Sequence, residues 1–326
     1  MADCTRSKII KLKVEPIASE LGDELEKLYL TKKRAFVKVG EKKWYLPYGY
    51  AKNGDKLYNF KIHPDDTWIV TYPRSGTTVM QELTWLVAND LNFDEAHRRT
   101  LLERFPFIEI SVLIDNHTTA ERNHAEGSIN YVQDQPSPRF IKSHLPLELL
   151  PTVVNSDCKI IYVARNPKDV VVSWYHFQKH QEHLQYAGTF EHFCDMFIAD
   201  HTIYSPYWEH VKEGWAKRHR ANTLFFFYED LNKDLPGVIE KVATFFGKSY
   251  SEEQIAKLVK HLNIDNFRKN PMVNQASPNN NRMKPEKFIR QGKTGGWKEI
   301  FTPEIEEKFN KWIADNLKNT DLTFPS

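Results

Sequence analysis

The chain has 326 residues, with 45 basic against 43 acidic side chains and three cysteines, which is enough for one large α/β domain or two ordinary ones. The near balance of charge excludes a general nucleic-acid or membrane surface, so any cationic site must be built from a few placed residues. Cys4, Cys158 and Cys194 are far apart and lack Cys-x-x-Cys spacing, which excludes a disulfide framework or zinc cluster and points to a reducing compartment. The N-terminus is charged from Arg6 onward with no apolar core, so no secretory signal is expected. The apolar runs are strand-sized, far short of a membrane span. The expected location is the cytoplasm.

Residues 1–60 are charged and turn-rich, with a basic cluster at Lys32, Lys33 and Arg34 and aromatics at Trp44, Tyr45, Tyr48 and Tyr50. They read as an N-terminal extension packed on the core, its basic cluster a solvated surface. From Asp65 onward short apolar strands alternate with longer helical patterns. The predicted strands are Trp68–Tyr72, Arg139–Lys142, Lys159–Val163 and Leu224–Tyr228. The predicted helices are Thr78–Asn89, Pro167–His180, Thr189–Ala199, Tyr204–Arg218, Leu235–Phe246, Glu252–His261 and Pro303–Leu317. Such alternation predicts an α/β fold, a central parallel sheet with helices on both faces and ligands at the carboxyl ends of the strands. Residues 268–296 form a long irregular segment. Its Arg282, Lys284, Lys287, Arg290 and Lys293 favour a cover over an anion. With no internal repeat and no domain-scale linker, residues 1–326 read as one domain.

The most informative run is Thr67 to Thr78. A β-branched and aromatic strand enters Pro73, then a short polar loop, then a helical segment. That order places backbone N–H groups and the positive end of a helix at a strand tip, which binds phosphate or sulfate. Arg74 adds a permanent cation, and Ser75, Thr77 and Thr78 add hydroxyl donors. The loop has one glycine, Gly76, and no following lysine, so it is not the common nucleoside-triphosphate loop. Lys142 and His144, two apart at the end of the next strand, would share a face if the strand continued to His144. The imidazole would then be the natural general base, and the ammonium would stabilise developing negative charge. Alone, a Lys-x-His pair arises often by chance. Arg165 stands at a strand-to-helix junction where Asn166 suits the N-cap, Pro167 the first helical position and Asp169 the first turn. Ser173 follows two helical turns later on roughly the same face. The Arg290–Gly292 segment can lay side-chain and backbone donors on one phosphate. As a flexible basic loop it would do neither.

In this order the blocks resemble the cytosolic sulfotransferase family, over roughly residues 60–326. The resemblance rests on Tyr72–Thr78, Lys142–Pro146, Arg165–Asp169 with Ser173–Phe177, Tyr228–Asp230 and Arg290–Trp297. It implies sulfuryl transfer from 3′-phosphoadenosine 5′-phosphosulfate to a small lipophilic hydroxyl acceptor such as a phenol, sterol or other alcohol, through a P-loop-like strand–loop–helix and with no metal. It implies that Arg74–Thr78 hold the 5′-phosphosulfate. Arg165, Ser173 and Arg290, Gln291 and Gly292 would hold the 3′-phosphate, and Tyr228 would lie near the adenine. His144 would be the base, with Lys142 and Arg74 as cations at the transferring group. Phe107 and Phe177 match acceptor-lining positions. Phe105 reads better as core.

Several positions depart from the family pattern. Arg74 stands for lysine, Val79 for tryptophan, Ile264 for phenylalanine, Leu262 for threonine and Gln291 for lysine. Val79 and Ile264 offer two aliphatic faces to the adenine in place of two rings, which lowers expected cofactor affinity unless Phe267 supplies a ring. The first 60 residues read as atypical of the family. In the family's dimer motif, here Lys298 to Glu307, Pro303 removes an N–H and breaks main-chain pairing, which leaves a homodimer open. Two other outcomes fit the same residues. One is a nucleotide-binding protein of this fold with little catalytic activity. The other is net dehydration of an allylic alcohol, whose sulfate leaves readily.

Overall fold

A computed structural model describes residues 12–29, 36–113, 128–181, 184–273, 289 and 292–325. A three-stranded antiparallel sheet comes first, β1 (Val14–Pro16), β2 (Phe36–Val39) and β3 (Trp44–Pro47), in the order β1-β2-β3. The second sheet holds β4 (Thr67–Thr71), β5 (Phe140–Ser143), β6 (Lys159–Ala164) and β7 (Thr223–Phe227). Its order is β5-β4-β6-β7 and every pairing is parallel, with Val70 beside Ser143 on one side and Tyr162 on the other.

The strands of this sheet are runs of β-branched and aromatic residues because both faces are covered. Successive side chains go to opposite faces. Ile69, Ile161, Val163 and Phe226 pack with the Thr77–Ala88, Leu235–Phe245 and Glu252–Leu262 helices. Trp68, Val70, Tyr162 and Ala164 pack with Phe193, Phe197, Tyr207 and Val211 from the Phe190–Ile198 and Tyr207–Lys217 helices. Trp44, Tyr45 and Leu46 of β3 join that second cluster, so the N-terminal sheet shares a core with the parallel one.

The predicted strands and helices fall where expected, within a residue at most ends. One helix begins three residues later than predicted, at Tyr207, because Tyr204 has φ 71° and Pro206 takes the N-cap position. The antiparallel sheet and the Ser19–Leu28 and Tyr50–Tyr58 helices replace the turn-rich extension expected of residues 1–60. An additional helix, Ile264–Lys269, takes the start of the segment read as irregular. Pro303 is the first residue of the Pro303–Leu317 helix, capped by the Thr302 hydroxyl on the Ile305 amide. Lys32, Lys33 and Arg34, and Arg282, Lys284 and Lys287 of the proposed cover, lie outside the described residues. Among the described residues no helix is long and apolar enough to cross a membrane.

Candidate active site

All four parallel strands end at one edge. The residues that follow them there are the ones that carry chemistry: Arg74 after β4, His144 after β5, Arg165 after β6 and Tyr228 after β7.

The loop after β4 turns sharply, with φ 67° at Arg74 and 98° at Gly76. A side chain at Gly76 is also blocked in space, since its Cβ would lie 2.4 Å from the Tyr228 ring. Gly76 then starts the Thr77–Ala88 helix without any side-chain cap, so the helix's first N–H groups face the loop. The Ser75 hydroxyl and Arg165 Nε are buried and have no hydrogen-bond partner among the described residues. Uncapped amides at one helix start and orphaned donors on the loops around it fit an anionic ester.

Arg74 binds this cradle to its neighbours. Its Nε donates to the Ser173 hydroxyl at 3.0 Å, and its guanidinium lies 5.0 Å from the centre of the Phe177 ring. Its carbonyl accepts from Arg165 Nη1 at 3.0 Å. Arg165 also donates from Nη2 to the Lys293 carbonyl at 2.8 Å and stacks 4.4 Å over Tyr228. The ring of Tyr228 therefore wedges between Gly76 and Arg165. Asp169 closes the arrangement by accepting from the Gly295 and Trp297 amides at 2.7 and 3.2 Å, while Lys168 lies 3.8 Å over the Trp297 ring.

On the other side, β5 stops at Ser143, so the strand does not continue to His144. The two side chains still converge on Phe107: Lys142 Nζ lies 4.4 Å from that ring and the His144 ring lies 5.3 Å from it. His144 Nδ1 is 2.9 Å from the Thr71 carbonyl and 3.1 Å from the Thr71 hydroxyl. A carbonyl only accepts, so Nδ1 carries the proton and Nε2 presents a lone pair. The Thr71 hydroxyl in turn lies 2.7 Å from that of Thr77. Burial, then the nearby Lys142, hold the imidazole well below the usual histidine range, so it is neutral at pH 7. Burial also pushes Lys142 down to about 8, with Glu109 opposing and Arg74 adding to the shift.

The remaining predicted site residues separate. Val79 and Thr78 are half-buried in the first turn of the helix. Ile264 packs on Gly292, where a Cβ would meet Ile264 Cδ1 at 2.6 Å. Leu262 and Phe267 belong to the apolar cluster beneath them, so Leu262 brings no polar group and Phe267 no open face. Phe105 is core, as expected. Arg290 and Gln291 lie outside the described residues. Sequence reasoning missed Thr71, Glu109 and the anchoring role of Asp169. The one available signal was a glutamate inside the apolar run Phe105–Ile110.

An anion cradle at a strand–helix junction, beside a neutral histidine with an open nitrogen, defines a group-transfer enzyme acting on an anionic donor. A family model, "Sulfotransferase domain", matches residues 64–321. Luciferin sulfotransferase of Photinus pyralis is 33% identical over 98% of this chain and 90% of its own length. Two solved complexes of retinol dehydratase, one with androsterone and inactive cofactor PAP and one with retinol and PAP, superpose with TM-scores of 0.86 and 0.84. Each is 36% identical and covers 97% of this chain and 99% of the other, too much to leave out the first 60 residues. The chain belongs to the sulfotransferase family, and its activity is sulfuryl transfer.

Proposed function

We propose that the protein transfers the sulfuryl group of 3′-phosphoadenosine 5′-phosphosulfate to the hydroxyl of a small lipophilic acceptor, with His144 as the general base. The observation that carries this is the Thr71 carbonyl on Nδ1, which leaves Nε2 free to accept a proton. When bound, the donor supplies an activated sulfuryl group on a phosphate of low basicity. Ser75, the uncapped helix start and Arg74 hold its anionic end, and Arg165 and Ser173 take the 3′-phosphate. Lys142 faces the charge that develops on the transferring oxygens. His144 Nε2 would take the acceptor proton as the hydroxyl oxygen bonds to sulfur and the bridging S–O bond breaks, its electron pair leaving on the 5′-phosphate of adenosine 3′,5′-bisphosphate. Arg74 is always protonated and donates no proton here. Positioning and charge stabilisation supply most of the rate, as in phosphoryl transfer.

The likeness to retinol dehydratase favours a second outcome on the same site. With an allylic alcohol the ester formed would lose sulfate, which takes the C–O electron pair, while a neighbouring carbon gives up a proton to a base. One experiment tests both readings: the protein, its His144→Ala variant, labelled donor, and a panel of phenols, sterols and allylic alcohols. Transfer should fall about 10²–10⁴-fold in His144→Ala, with binding of the bisphosphate product retained. Turnover near wild type would end the base assignment. A stable labelled ester identifies sulfation. Free labelled sulfate with an alkene identifies dehydration.

A further inference from the structure

Glu109 is completely buried, in a segment that pairs with the edge of β5. Lys142 N–H donates to the Pro106 carbonyl at 2.9 Å and the Ile108 N–H donates to the Lys142 carbonyl at 3.2 Å. The next donor along that edge is the His144 amide. No backbone carbonyl meets it; one oxygen of the Glu109 carboxylate does. The second oxygen of Glu109 is buried without a hydrogen-bond partner among the described residues. A carboxylate thus completes the strand ladder at the residue that carries the base. It also lies within electrostatic reach of Lys142, the adjacent cation.

We propose that Glu109 is a positioning residue for the transfer: its carboxylate fixes the backbone of His144 and gives Lys142 its counter-charge. This rests on the reading of His144 as base. The role fits the groups around it. Facing Lys142 are Glu109, Arg74 and His144. Facing His144 are Lys142, Arg74 and His210, whose Nε2 lies 2.9 Å from the His144 carbonyl. Tyr204 and Tyr50 are the phenols within reach of Glu109. Burial raises the Glu109 carboxyl to about 7, against the pull of the His144 amide, Ser143 and Lys142. The carboxylate therefore ionises near neutral pH, and its charge favours the protonated form of Lys142.

Glu109→Gln separates the two roles. The amide oxygen can still accept from His144, but the charge is gone. The expected result is a loss of turnover that grows with pH between about 6 and 8, because Lys142 deprotonates earlier without its counter-charge. Below about 6 the native carboxyl is itself largely protonated, and the two proteins converge. Glu109→Ala removes the acceptor as well and should lower turnover about 100-fold through displacement of the base. Affinity for the bisphosphate product should change less than about twofold in either variant, since neither touches the cradle. Parallel pH profiles for Glu109→Gln and wild type, or a loss confined to product affinity, would overturn the inference. Because Glu109→Gln is nearly isosteric, it serves if Glu109→Ala does not fold. The His144→Ala control keeps the two readings apart. If that variant stays active, the base assignment fails; if it is inactive while Glu109→Gln matches wild type at every pH, the counter-charge role fails, and if Glu109→Ala also keeps wild-type turnover, the positioning role fails.

Discussion

One carbonyl, that of Thr71, settles which nitrogen of His144 can act, and it does so from the strand that opens the anion loop. Arg165 shows a similar economy. Two of its N–H groups are spent on the carbonyls of Arg74 and Lys293, while Nε is buried and has no hydrogen-bond partner among the described residues. Arg165→Lys keeps a cation but loses the fork. Binding of adenosine 3′,5′-bisphosphate should weaken by roughly 1.5–3 kcal/mol, the worth of a hydrogen bond to a charged group. Binding of the 5′-monophosphate should weaken by less than about 1 kcal/mol. Calorimetry with both ligands checks this, and equal losses would mean that the arginine acts only by tying two loops together. That Lys142, His144, Arg165 and Ser173 gather at one edge of the sheet was legible in the sequence, because residue type and spacing around the strand ends mark them. Thr71 and Glu109 were not. They meet His144 through a main-chain oxygen and at a main-chain amide, across 73 and 35 residues, and no side-chain pattern records such contacts.

At the scale of elements, the segment Gly292–Trp297 is held by the start of the Pro167–His180 helix. Asp169 reads in sequence as a first-turn acid favourable to the helix dipole. In the fold, both its oxygens serve amides more than a hundred residues away. Asp169→Ala leaves the Gly295 and Trp297 amides without acceptors, at a cost of about 1–3 kcal/mol. Hydrogen exchange should show protection lost at those two amides and little change in β4 or β6. A uniform loss across the sheet would instead mean that Asp169 supports the whole fold. The nucleotide-base region is where element-level reading stopped short. Val79 and Ile264 were seen as lost aromatics, but the contact of Ile264 with Gly292 came only with the Ile264–Lys269 helix. That contact leaves little space for a phenylalanine at position 264. β4, β6 and β7 were plain in sequence because burial on both faces makes their interiors apolar runs, while β5 offers only Phe140 and Ile141 ahead of Lys142. The antiparallel strands were hidden. β1 and β2 are three and four residues long and carry Glu15 and Lys38, and the hairpin tip is charged.

At the scale of the whole molecule, two apolar clusters sandwich the parallel sheet, and the N-terminal sheet extends one of them. Trp44 of β3 lies edge-on to His210 at 6.1 Å, and His210 in turn touches the His144 carbonyl, so the early part of the chain buttresses the catalytic edge. Near-neutral total charge hides a local imbalance there. Ser75 and Arg165 Nε are buried donors without partners among the described residues, and Lys142 is pushed down to about 8 by burial. Each raises the free energy of the native state by desolvation. An anion seated among them removes that cost, which makes the nucleotide a ligand of folding as well as of catalysis. The midpoint of thermal unfolding should rise with the logarithm of bisphosphate concentration, with a native-state gain of about 2.7 kcal/mol at one hundred times the dissociation constant. A midpoint that stays fixed at saturating bisphosphate would show that the cradle is balanced by the protein alone. If it moves, the balance between synthesis and degradation of this protein is coupled to the supply of its own sulfuryl donor, because a chain short of nucleotide spends more of its time unfolded.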